Sequence, residues 1–187
     1  MSKLFYVIGA TGAGKDTLMN YARTQLNGHE KVIFAHRYIT RPPFTGNENH
    51  IYLGEEEFKT RIDDELFALY WESHAQYYGI GAEINMWMEK GFNVVVNGSR
   101  QYLPVAKELY PEMIVILIDA SPEIIRERLT GRGRENATEI NKRIVRSSEI
   151  LADLIDCIKI QNDSEIKKAG NAFLEIIMSS HQNYHPQ

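Results

Sequence analysis

Near its start the chain reads Gly9-Ala10-Thr11-Gly12-Ala13-Gly14-Lys15-Asp16-Thr17, directly after the apolar run Leu4 to Ile8. Gly9, four residues and then Gly14-Lys15 is the form of a P-loop. A buried strand followed by a glycine-rich turn leaves backbone N–H groups free to surround phosphate oxygens. The helix starting near Gly14 adds the positive end of its dipole, and Lys15 reaches toward the outer phosphates. The position after the lysine usually holds Ser or Thr for Mg²⁺; here it is Asp16, and Thr17 comes one place late. A carboxylate beside phosphates is repelled unless a cation lies between them. Asp16 and Thr17 are therefore expected to help hold Mg²⁺, directly or through water. The stretch predicts binding of a nucleoside triphosphate.

Two groups of cations could complement it. Between Arg126 and Arg146 stand seven basic residues (Arg126, Arg128, Arg132, Arg134, Lys142, Arg143, Arg146) against three acidic ones. Helical i,i+4 pairing such as Glu139 with Arg143 accounts for some of them. It does not account for Arg132 and Arg134, which flank Gly133 in a breaker segment. Arginines on a hinged loop suit closure over a triphosphate and neutralisation of a transferring group. The second group is Arg37, Arg41 and His50, with Tyr77 and Tyr78 before Gly79. Guanidinium forks bind phosphate bidentately and phenols add donors, so these residues predict an acceptor-phosphate site. The other histidines show no metal-ligand spacing. There is no convincing nucleophile–base pair either. An acceptor that is itself a phosphate is already ionised near neutral pH and needs positioning more than a base.

These residues need a scaffold, and the chain's 187 residues suffice for one core with an insertion. Apolar runs at Leu4–Ile8, Val32–Ala35, Asn93–Val96, Ile114–Ile118 and Cys157–Ile160 alternate with helical patterns. The pattern predicts an α/β fold, a doubly wound five-stranded parallel sheet of P-loop NTPase type. Leu18, Met19, Ala22 and Leu26 form a helical stripe that Gly28 closes. Ser121 before Pro122 is expected to cap a helix running to Leu129, Thr138 one from Glu139 to about Leu154, and Ser164 one to about Met178. His36 to Gly79 is polar and rich in breakers. It reads as an inserted subdomain with strands around Ile51–Leu53 and Leu66–Trp71 and a small helix over Glu55–Arg61. The expected organisation is a core of 1–35 and 80–187, an acceptor-binding insertion of 36–79 and a lid at about 132–138. Ligand belongs at the carboxyl ends of the strands, where Gly9, His36, Asn97 and Asp119 lie.

The net charge of −4 implies no global attraction to nucleic acid or membrane. The single cysteine, Cys157, excludes an internal disulfide. The N-terminus lacks a signal peptide's apolar segment and no run approaches a membrane span, so a cytoplasmic protein acting on small molecules is expected. The sequence says nothing about oligomeric state.

Over nearly its whole length the chain resembles the guanylate kinase family. The resemblance rests on the P-loop, Thr40-Arg41-Pro42, Gln76-Tyr77-Tyr78-Gly79, Arg128-Leu129-Thr130-Gly131-Arg132-Gly133, Ile140-Asn141-Lys142-Arg143 and Asn162-Asp163. It implies that Arg41 and Tyr78 contact the acceptor phosphate, that Arg132 and Arg143 contact the transferring phosphates, and that Asn162 lies near the adenine of ATP. The departures concern the base of the acceptor. Tyr70-Trp71 stands where the family carries a glutamate that pairs with guanine, and Ser99 stands at the nearest position to an aspartate, which makes Ser99 a candidate acceptor-binding residue. Phe44 replaces a second arginine, and His50 falls near an acceptor tyrosine. One branch is similar in just these places: kinases of ribose 1,5-bisphosphate from bacterial phosphonate breakdown. The shared strings are the Gly-Lys-Asp P-loop, His36 to Arg41, Glu48 to Ile51, Val96 to Arg100 and Arg132 to Ala137. That likeness implies ATP-dependent phosphorylation of ribose 1,5-bisphosphate. The alternatives are a guanylate kinase with a rebuilt base pocket, a non-catalytic module of the same fold, and a regulatory ATP-binding protein.

Overall fold

Alternate residues of β1 (Leu4–Gly9) serve opposite faces of the sheet. Phe5 and Val7 pack into one apolar cluster, while Leu4, Tyr6 and Ile8 pack into another. This two-sided burial makes the strand continuously apolar and central. The computed structural model describes residues 2–26, 28, 30–42, 49–133, 137–151 and 156–179. β1 lies between β7 (Asn93–Asn97) and β8 (Ile114–Asp119), with β2 (Val32–Phe34) and β9 (Ile158–Gln161) at the edges. All four pairings are parallel, as a doubly wound sheet requires.

The stripe Leu18, Met19, Ala22 and Leu26 buries one face of α1 (Lys15–Leu26). α7 (Ile166–Met178) joins it on the same side with Ala169, Phe173 and Ile177. On the other side lie α3 (Glu83–Glu89) and α4 (Leu103–Leu109). α5 (Pro122–Arg132) and α6 (Ala137–Leu151) close the first face through Ile125, Leu129, Ile140 and Ile144. Cys157 is partly buried against the second cluster, and burial is the main cause raising its thiol pKa.

Between β2 and α3 the chain builds a second, four-stranded sheet of order β4-β3-β6-β5. Its strands are β3 (Arg37–Ile39), β4 (His50–Tyr52), β5 (Phe67–Ser73) and β6 (Gln76–Gly81), with α2 (Glu55–Asp63) between β4 and β5. Leu69, Trp71 and Ile80 of this sheet belong to the same buried cluster as Tyr6 and Val96. The two sheets therefore share a core.

Several expected boundaries move. β3 and β6 are strands that the polar texture of their sequence concealed. α5 runs past Leu129 to Arg132 and stops at Gly133, whose left-handed φ of 63° ends it. Ser121 makes no side-chain cap; its backbone N–H instead donates to Asp163 Oδ1 at 2.6 Å. A carboxylate at a helix start serves the dipole better than a hydroxyl, and this bond is the main cause holding the Asp163 carboxyl below its usual range. α6 starts at Ala137, so Thr138 lies inside its first turn. α7 starts after Glu165, one residue later than a Ser164 cap would place it.

Candidate active site

The P-loop turns between β1 and α1 with Ala13 N–H donating to Ala10 O at 3.1 Å, and α1 begins with Leu18 N–H on Gly14 O at 3.0 Å. Gly14 has φ 89°, and a Cβ there would stand 2.4 Å from Asn162 Nδ2. Backbone conformation and space both demand glycine. That amide reaches under the loop, where Asn162 Nδ2 donates to Ala13 O at 2.8 Å. Arg128 Nη1 donates to the same carbonyl at 3.2 Å, and its Nη2 to Asn162 O at 2.8 Å. Asn162, expected beside the adenine, is 4% exposed and supports the loop from beneath. Arg128, which the sequence shows only as one of a run of cations, does the same.

At the mouth of the loop, Lys15 Nζ donates to Asn97 Oδ1, and Asn97 Nδ2 donates to Asp16 Oδ1 at 2.6 Å. Lys15 and Asp16 are 3.8 Å apart. Asn97 is buried at the carboxyl end of β7. Its amide carries a donor and an acceptor in one plane, so it serves an ammonium and a carboxylate at once. No group of three or more His, Cys, Asp or Glu among the described residues could hold a metal ion. An Mg²⁺ here would rely on one carboxylate, phosphate oxygens and water, which is how that ion is usually held. The Asp16 side chain is 46% exposed and fits such a role, and Thr17 is exposed on the next position of α1.

Beside the loop opens a solvent-facing cleft. Gly9, Thr11 and Lys15 line it on one side, and Arg37, Tyr78 and Ser99, all expected in the acceptor site, line it elsewhere. Arg37 is 8% exposed, with its guanidinium carbon 5.6 Å from the centre of the Tyr78 ring. Tyr78 stacks on Trp71 at 5.6 Å, and Trp71 stacks on Tyr102 at 5.5 Å. The Ser99 backbone is clasped by one phenol: its N–H donates to Tyr6 Oη at 2.9 Å, and Tyr6 Oη donates back to Ser99 O at 3.1 Å. Gly98 permits this, since a Cβ there would lie 2.2 Å from the Tyr6 ring. Among the described residues lining the cleft, Arg41 and His50 are not found. His50 pairs with Arg37 across β3 and β4, and Arg41 follows the β3 end, where Thr40 is bonded to Tyr77. The side chains of Arg132 and Arg143, and residues 134–136 of the expected lid, lie outside the described part, as do Phe44 and Glu48.

A buried strand, a P-loop and a cationic cleft at the carboxyl edge of a parallel sheet define a P-loop phosphotransferase. The guanylate kinase family model matches residues 1–179, and the chain belongs to that family. Among solved structures, the guanylate kinase of Anaplasma phagocytophilum shares the fold with a TM-score of 0.71 at 16% identity, over 94% of this chain and 84% of the other. The curated relatives carry a narrower name. A ribose 1,5-bisphosphate phosphokinase PhnN of Thiobacillus denitrificans is 49% identical over 94% of this chain and 92% of its own. One of Desulfomicrobium baculatum is 47% identical over 96% of both.

Proposed function

We propose that this kinase transfers the γ-phosphoryl group of ATP to the 1-phosphate of ribose 1,5-bisphosphate, yielding 5-phospho-α-D-ribosyl 1-diphosphate and ADP in phosphonate catabolism. An oxygen of the 1-phosphate attacks the γ-phosphorus in line, and the bond to the β–γ bridging oxygen breaks as ADP leaves. The observation that carries this reading on the structural side is the cleft: among the described residues, Lys15, Arg37 and Arg100 line it and no carboxylate does, in a chain with more acidic than basic residues. Such a wall receives an anionic acceptor by charge. The relatives supply the identity of that acceptor.

Gly9 to Lys15 hold the β- and γ-phosphates, and Lys15 draws charge toward the bridging oxygen. Asp16 and Thr17 contribute to the Mg²⁺ position; the ion neutralises phosphate charge when bound. Arg37, Arg41, His50, Tyr78 and Ser99 place the acceptor, while Arg132 and Arg143 neutralise the transferring group. In this reading the core (1–35 and 80–187) carries ATP, the insertion (36–79) carries the sugar phosphate, and the segment around 132–138 closes over both. No helix among the described residues is long and apolar enough to cross a membrane. The cytoplasm supplies both substrates.

The test offers ATP·Mg²⁺ with ribose 1,5-bisphosphate, GMP and dGMP in turn and follows ADP release. The sugar bisphosphate is expected to be turned over at least 100-fold more efficiently, which corresponds to about 2.7 kcal/mol of transition-state discrimination. Fast turnover of GMP with none of the sugar would overturn the assignment.

A further inference from the structure

The acceptor proposed above carries two phosphates, and only one reacts. We propose that Arg100 is the receptor for the other, the 5-phosphate, so that the cleft grips its acceptor at both ends. The inference rests on the sugar bisphosphate reading and adds a residue that the reading does not use.

The cations of the cleft come from three elements. Lys15 starts α1, Arg37 belongs to β3, and Arg100 lies on the connection between β7 and α4. Arg37 is buried on a strand beside Tyr78, which stacks on Trp71. A cation fixed in this way suits the reacting phosphate, where charge must be met without reorganisation. Arg100 comes from a different element, and the loop that carries it is held by the sheet. The preceding residue, Ser99, has both N–H and C=O bonded to the phenol of Tyr6, a fully buried side chain of the central strand. Gly98 lacks the Cβ that would collide with that ring. The sheet thus fixes the loop immediately before a guanidinium that lines the cleft. That is the support a precise binding contact requires. Guanidinium groups supplied to one cleft by two separate elements suit a ligand with a phosphate at each end, each fork taking one phosphate bidentately.

The two half-ligands separate the ends. Ribose 5-phosphate carries only the distal phosphate and ribose 1-phosphate only the proximal one, and each is measured as a competitive inhibitor against ribose 1,5-bisphosphate. Arg100→Ala is expected to raise the inhibition constant for ribose 5-phosphate, and KM for the bisphosphate, by about 10- to 100-fold. The constant for ribose 1-phosphate should move less than threefold. Arg100→Lys, which keeps the charge but loses the fork, should recover part of the loss; a melting temperature equal to wild type confirms that both variants fold. Equal weakening of both monophosphates, or an unchanged constant for ribose 5-phosphate, overturns the role of Arg100. Absence of wild-type turnover with the bisphosphate instead overturns the parent reading, and this inference with it.

Discussion

A single carboxamide holds two of the most important charges of the site. Asn97 accepts from Lys15 and donates to Asp16, which neither a carboxylate nor an aliphatic side chain can do. Asn97→Leu should lower kcat/KM by about 10- to 100-fold, the usual weight of lost hydrogen bonds to charged groups. Asn97→Gln, which keeps a donor and an acceptor in one amide and leaves Asp16 in place, should recover a good part; a loss as large as that of the leucine variant would show that more than this hydrogen-bonding capacity is at stake. Tyr6 is the second such residue. Burial is the main cause pushing its phenol far above the ordinary tyrosine range. A raised folded pKa favours the protonated form, so the stabilisation is complete below about pH 10, the unfolded value, and is lost as pH climbs above it. Wild type should therefore lose stability above that pH more steeply than Tyr6→Phe, as alkaline denaturation would record. The P-loop was legible because its residues are contiguous. Asn97 was legible only as a position at the strand ends; its bond to Lys15 and that of Tyr6 to Ser99 were not, since the partners lie 82 and 93 positions apart and only the parallel pairing of β1 with β7 brings them together.

At the scale of elements, legibility followed apolar continuity. β1, β7 and β8 bury both faces and read as mostly apolar runs, whereas β3 and β6 mix arginine, glutamine and tyrosines into strands that are only partly buried. The turn joining β5 to β6 was hidden for another reason. His74 and Ala75 adopt φ values of 51° and 55°, so the left-handed positions of this hairpin carry no glycine or asparagine to announce them. Asn162, for which likeness implies a place near adenine, is buried under Gly14 and bonded to the carbonyl of Ala13, a supporting contact that likeness did not announce. The two roles separate experimentally. If Asn162 supports the loop, Asn162→Ala should weaken ATP and GTP alike, by about 10-fold for one buried hydrogen bond with a partner left unsatisfied. If it reads the base, the preference for ATP over GTP should collapse while GTP affinity stays the same. Titration of wild type and Asn162→Ala with ATP and with GTP decides between them.

For the molecule as a whole, the average conceals the function. A chain with net charge −4 predicts no global anion affinity, yet its cleft joins cations from the P-loop, the second sheet and the β7–α4 connection without a carboxylate among the described lining residues. The sequence singled out Lys15 and Arg37 and gave Arg100 no role of its own beyond its place beside Ser99, because whether it faces the same space depends on how the two sheets meet. They meet through Leu69, Trp71 and Ile80, which enter the core of the parallel sheet and so fix the second sheet against it. Electrostatic attraction built from several separated cations is felt by an incoming ligand before contact, and it weakens as the Debye length falls from about 8 Å at 0.15 M salt to about 3 Å at 1 M. Raising KCl at constant Mg²⁺ should therefore increase KM for the sugar bisphosphate several-fold. The rate at saturating acceptor should change little, because the bound phosphates already sit against desolvated partners that salt screens poorly. Arg100→Ala should flatten this salt dependence by removing one of the charges, and a dependence as steep as wild type would mean that the cleft does not draw its acceptor through that arginine.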